Sequence, residues 1–237
     1  MKDSKPSLIL FLVSAVMTII SRVLEHEMMT LIFKPIVVPA IFYYYLQTKT
    51  RRTNFWFAFA LWLFFVGDMI MIIFPDYDIV YVMVCGLVSY FILTLFAVAD
   101  KEKFKFTAFN VGFVLVLLAL LGYILFTILH LNAQSIVNNY FIYLAYGIIL
   151  ILLVTVSTIN YLTQSNQAFM YLCTMSLCFL VSDLFYAINM FMFGTKLPLI
   201  DHINLFAQFM AYFFMVKYFN ARRRKISGAG VNGYELN

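Results

Sequence analysis

Charge is what this sequence has least of. Only 11% of its 237 residues are Asp, Glu, Lys or Arg, against 64% hydrophobic, with a mean hydropathy of +0.93. Globular domains carry about 25% charged residues. A water-facing surface of ordinary composition is therefore excluded, and most side chains must face lipid or one another. Cysteine is scarce as well: Cys85, Cys173 and Cys178 lie in apolar stretches with no CxxC pair. That excludes a disulfide framework and leaves them as small hydrophobes in helix packing. Glycines are few, and no P-loop or dinucleotide fingerprint occurs, so ATP coupling and nicotinamide use are unsupported. Neither HExxH nor GxSxG is present, and Ser182 has no His on its own helix, which argues against a zinc or a serine hydrolase. A metal held by Asp68, Asp183 and a histidine has no ligand spacing behind it. No metal and no cofactor are expected.

What is present is a series of long apolar runs. A membrane helix needs about 20 mostly apolar residues. Breaks fall at EHE (25–27), QTKTRR (47–52), PDYD (75–78), DKEKFK (100–105), HLNAQS (130–135), TQSNQ (163–167) and FGTKLPL (193–199). They predict an all-α membrane bundle of eight helices at 7–23, 29–47, 54–74, 79–98, 107–129, 139–159, 168–192 and 198–219. The first run follows Lys2 and Lys5 but continues into Ser21-Arg22 with no small-x-small cleavage site, so it reads as a retained helix. Residues 1–225 are expected to form a single transmembrane domain, followed by a disordered cytoplasmic tail over 226–237.

Basic loops resist translocation. Eight spans put both termini on one side, and placing them in the cytoplasm leaves only Arg22, Lys34 and Lys196 of the 16 Lys and Arg residues on the outer side. The net charge of +5 then reflects topology, and the RRRK run at 222–225 reads as an anchor near anionic lipid, with no role in nucleic-acid binding. His26, His130, His202, Glu25, Glu27, Asp76, Asp78 and Asp201 all fall in the outer half, which is expected to be the chemically active one.

An ionisable residue at the centre of a membrane helix costs about 2.5–3.5 kcal/mol and is a functional candidate by default. Lys34, Asp68 and Asp183 are such residues, and helical rise puts them near one layer. Around them, Ser182, Tyr186 and Asn189 share a face of helix seven; Asn204, Gln208 and Tyr212 recur along helix eight; Asn139, Tyr143 and Tyr146 recur along helix six. The strings FFVGDM (64–69) and FLVSDL (179–184) share a pattern in helices three and seven, which would suit a parallel 4+4 repeat about an axis normal to the membrane.

Taken together these residues resemble the YhhN family of lysoplasmalogenases. The resemblance rests on Lys34-Pro35, Gly67-Asp68, Gly86, the helix-seven run containing Ser182, Asp183, Ala187, Asn189 and Phe191, and the pair Ala207-Gln208. Two departures accompany it. Where the family often carries a His and a Tyr after the helix-four glycine, this chain offers Thr94 and Ala97. The tyrosine usual before the Ala-Gln pair is replaced in that region by Asn204 and Leu205.

The resemblance implies an eight-helix protein, expected in a bacterial inner membrane, that hydrolyses the vinyl ether of a lysophospholipid drawn from the bilayer. Such hydrolysis protonates the β-carbon and lets water capture the oxocarbenium ion. It needs one carboxylic acid and one carboxylate, and two carboxyl groups in a poorly hydrated site divide those roles. Asp68 and Asp183 are the expected catalytic pair. Lys34 is expected to neutralise charge or meet a phosphate, and Ser182, Tyr186, Asn189, Asn204 and Gln208 to orient water or glycerol oxygens. Three other readings stand beside this one: a structural Lys34–Asp68 salt bridge, polar stripes that act only as helix glue, and a proton-coupled transporter using Asp68, Asp183 and Lys34 as a relay.

Overall fold

The computed structural model describes residues 5–49, 53–74, 79–100, 107–131, 139–164, 166–191 and 198–232, without the side chains of 131, 191 and 223–232. Among them are eight helices and no strand: α1 Lys5–Val23, α2 Glu27–Thr48, α3 Phe55–Ile73, α4 Val80–Ala99, α5 Ala108–Leu131, α6 Tyr140–Thr163, α7 Gln167–Phe191 and α8 Pro198–Asn232. All eight are long and apolar enough to cross a membrane. The basic residues Arg51, Arg52, Lys101, Lys103, Lys105 and Lys196, with Asp76 and Asp78, lie outside the described residues, as do the last five residues of the expected tail.

Local chemistry explains several helix ends. Asn54 caps α3, its Oδ1 accepting from the backbone N–H of Trp56 at 3.0 Å and of Phe57 at 3.3 Å. α1 closes by a Schellman arrangement, with the His26 N–H on the Ser21 carbonyl and the Glu25 N–H on that of Arg22. Glu25 takes the left-handed conformation this requires (φ 53°). α8 continues past its predicted end at 219, and the first turn beyond it is held. Tyr218 donates to Asp100 Oδ2 at 2.6 Å and Arg222 Nε pairs with the same oxygen at 2.5 Å. The Arg222 guanidinium lies 5.0 Å over the Phe96 ring, and Asn220 donates to Thr48 at 2.8 Å.

The helices pack in a repeating order. α1 rests on α2, α2 on α3, α3 on α4 and α4 on α6; four helices later, α5 rests on α6, α6 on α7, α7 on α8 and α8 on α2. The order thus recurs after four helices, with α1 also meeting α8 and α5 also meeting α7. Small polar residues tie neighbours at close approach. Ser21 and Thr30 hydroxyls meet at 2.8 Å, those of Ser157 and Ser176 at 2.5 Å, and Asn160 donates to the Ala97 carbonyl at 2.8 Å. α5 is the outlier. Only 6% of its span is buried, against 33–44% for the other seven, so most of its surface is left to lipid.

Candidate active site

One cavity of about 230 Å3 lies in the half of the bundle where the odd-numbered helices end and the even-numbered ones begin, here called the upper half. Asp68, Asp183 and Lys34 all line it. Asp68, on the last turns of α3, is 6% exposed and its two oxygens are occupied. Lys34 Nζ of α2 sits 3.2 Å from Oδ1, and Lys34 itself is 5% exposed. Gln208 of α8 donates to Oδ1 at 3.1 Å, and Tyr212, one turn on, donates to Oδ2 at 3.1 Å. Gln208 also donates to the Tyr212 hydroxyl at 3.0 Å, which fixes the direction in which that phenol points its proton.

Asp183 on α7 is held differently. Tyr90 of α4 and Tyr146 of α6 both donate to Oδ2, at 2.8 and 2.7 Å. Among the described residues no bond falls on its Oδ1, and the residue is only partly buried. The two centres correspond under the four-helix repeat. Asp68 takes its partners from the preceding helix (Lys34) and from α8 (Tyr212). Asp183 takes its partners from the preceding helix (Tyr146) and from α4 (Tyr90). One turn before each aspartate stand Phe64 and Phe179, whose rings stack on each other at 5.0 Å and 17°. Tyr90 and Tyr212 complete a four-ring cluster, with centroids 5.1–6.0 Å from both phenylalanines.

The correspondence breaks at two positions. A lysine serves the first aspartate where a tyrosine serves the second, and Gln208, which donates to Asp68, is matched by Gly86 on α4, so Lys34 balances one carboxyl group and the site holds two. Glycine makes the second arrangement possible. A Cβ at Gly86 would stand 2.9 Å from the Tyr146 ring, and one at Gly147 would collide with the Leu125 side chain. Tyr146 reaches Asp183 through the gap at Gly86, and α5 closes against α6 through the gap at Gly147.

The sequence model of the YhhN family matches residues 29–219. The chain belongs to the YhhN family. No curated protein and no solved structure matches it.

The YhhN match covers both aspartates and every partner just described. Of the residues expected at the site, Lys34, Asp68, Ser182, Asp183, Tyr186, Asn204 and Gln208 all line the cavity. Ser182 donates to Asn204 Oδ1 at 2.6 Å, joining α7 to α8 at its wall. Asn189 lies near the end of α7 and is not among the described lining residues. The tyrosines are what the pattern reading underrated. Tyr146 and Tyr212 appear there only as members of polar stripes, and Tyr90 is passed over in favour of Thr94 and Ala97. Thr94 instead turns its hydroxyl to the Tyr90 carbonyl at 2.7 Å, and Ala97 is wholly buried. The signal for Tyr90 is the dipeptide Tyr90-Phe91, one turn after Gly86, matched by Tyr212-Phe213 one turn after Gln208.

Proposed function

We propose that this YhhN-family protein hydrolyses the vinyl ether bond of a lysoplasmalogen, or of a related lysolipid ether, to a fatty aldehyde and a glycerophospho head group. The observation that carries the reading is the inequality of the two aspartates. Asp68 is saturated by Lys34, Gln208 and Tyr212, whereas Asp183 lines an apolar cavity with one oxygen anchored by two phenols and the other left for substrate.

In this mechanism Asp183 acts first as the acid. It gives its proton to the β-carbon of the vinyl ether, and the adjacent carbon becomes an oxocarbenium ion. The Asp68 carboxylate, fixed by its donors, faces that developing cation without reorganising, which is where electrostatic stabilisation acts most strongly. Water then adds to the cationic carbon and returns a proton to Asp183. The hemiacetal collapses by moving its hydroxyl proton to the glycerol oxygen, breaking the C–O bond. Leu121, Ile124, Leu125 and Leu129 of α5 supply the apolar wall for the alkenyl chain.

The test is aldehyde release by the purified protein in detergent. Asp183→Asn is expected to lower the rate by about three orders of magnitude or more, as loss of a general acid and base does. Asp68→Asn is expected to lower it severely as well. Wild-type rates from folded samples of both variants would remove the reading. The four-helix repeat is also an architecture of carriers, so a proton relay through Lys34, Asp68 and Asp183 is the competing function. It requires proton-dependent solute uptake by liposomes that release no aldehyde.

A further inference from the structure

With Lys34 committed to Asp68, the cavity needs another cation if it is to hold an anionic head group. Among the described residues that line it, Arg22 is that cation. It sits in the last turn of α1, one residue before the helix ends, at the upper rim of the cavity. Its Nε is buried and donates to no partner among the described residues. The salt bridges among those residues join Lys34 to Asp68 and Arg222 to Asp100, and leave Arg22 out. Arg22 also precedes the stretch matched by the family, 29–219, so the family match assigns it nothing.

Its position is held from the backbone. The Arg22 carbonyl receives the Glu25 N–H of the α1 closure, and the neighbouring Ser21 hydroxyl meets Thr30 of α2 at 2.8 Å. The turn that carries Arg22 is thus tied to the helix that carries Lys34. From Glu27 at the start of α2 to Lys34 is seven residues, or about 10 Å of helix. Rim and carboxylate layer are therefore separated by about the span that an extended glycerophosphate and an arginine side chain cover together. A guanidinium matches phosphate oxygens with paired donors, a geometry no ammonium reproduces. Asp201, on the first turn of α8, shares the rim and is not bridged to Arg22. Among the described residues, nothing bridges the Arg22 side chain.

We infer that Arg22 is the phosphate anchor of the site: it holds the phosphodiester of a glycerophospholipid at the rim while the ether bond reaches the aspartates. The inference takes its ligand from the hydrolase reading, and its test is chosen to stand apart from turnover. A 1-O-alkyl lysophospholipid, whose saturated ether has no double bond to protonate, and the matching 1-O-alkylglycerol, which lacks the phosphate, are titrated into wild type, Arg22→Gln and Arg22→Lys in detergent.

Wild type is expected to bind the phosphate-bearing lipid at least about tenfold more tightly than the alkylglycerol. Arg22→Gln loses that preference while keeping the affinity for alkylglycerol, and Arg22→Lys recovers part of it. A tenfold loss is the size expected for removing one charge-assisted contact. Inorganic phosphate at millimolar concentration is the second arm. Failure to displace the lipid locates recognition in the whole head group, and displacement in wild type alone assigns it to phosphate itself; both support the anchor. Equal phosphate preference in wild type and Arg22→Gln overturns it, and so does a loss of alkylglycerol binding that Arg22→Lys does not restore. Tight, Arg22-dependent binding without aldehyde release from a vinyl ether would sink the hydrolase reading and leave the anchor standing.

Discussion

Lys34 and Asp68 show how a costly pair of charges is made tolerable inside an apolar bundle. Each is about 5% exposed, and the carboxylate also takes donors from Gln208 and Tyr212. Removing one member of such a pair strands the other, at a cost of about 3–5 kcal/mol, whereas replacing both with apolar residues is often nearly neutral. Lys34→Met is accordingly expected to lower the apparent Tm in detergent by roughly 6–20 °C. Lys34→Met combined with Asp68→Leu should recover most of that loss and still release no aldehyde. A double variant that regains both stability and activity would make the pair purely structural. The two aspartates and the lysine were legible from sequence because an intramembrane charge is rare and expensive, and so stands out wherever it falls. The tyrosines that orient them were not. The chain has 16 Tyr and 27 Phe, and a hydroxyl on an aromatic ring says nothing about which carboxylate it will meet across the bundle.

At the scale of helices, the spacing of breaks found all eight spans to within a few residues, since twenty apolar residues between polar turns leave little choice. The exception is the end of α8, where Tyr218 and Arg222 bind Asp100 of α4 in a contact that depends on tertiary packing. The two glycines of the family pattern also prove unequal. A Cβ at Gly67 would meet Val82 and Cys85 at 3.6 and 3.7 Å, an ordinary contact, whereas at Gly86 it would press on the Tyr146 ring. Gly86→Ala is expected to push Tyr146 off Asp183 and cut activity about tenfold or more, a loss equivalent to one charge-assisted hydrogen bond. Gly67→Ala is expected to stay within about twofold of wild type on the same principle. Initial rates on folded protein compare them directly, and equal losses from both would disconnect Tyr146 from the chemistry.

Across the whole molecule, the first four helices and the last four each bring one aspartate to a shared cavity, and the two aspartates are held by different partners. The strings FFVGDM and FLVSDL hinted at this, and the stacking of Phe64 on Phe179 and the crossed tyrosine contacts give the hint a physical form. In the proposed mechanism Lys34 fixes the Asp68 carboxylate as counter-charge, while Tyr90 and Tyr146 hold one oxygen of Asp183 and leave the other to exchange a proton with substrate. The most direct measurement of that claim is the mass of the aldehyde formed from a lysoplasmalogen in deuterated water, trapped as it is released. Proton transfer to the β-carbon predicts one deuterium on the carbon next to the carbonyl, and no aldehyde above background from Asp183→Asn. Aldehyde without that deuterium, or made at the wild-type rate by Asp183→Asn, would contradict the account.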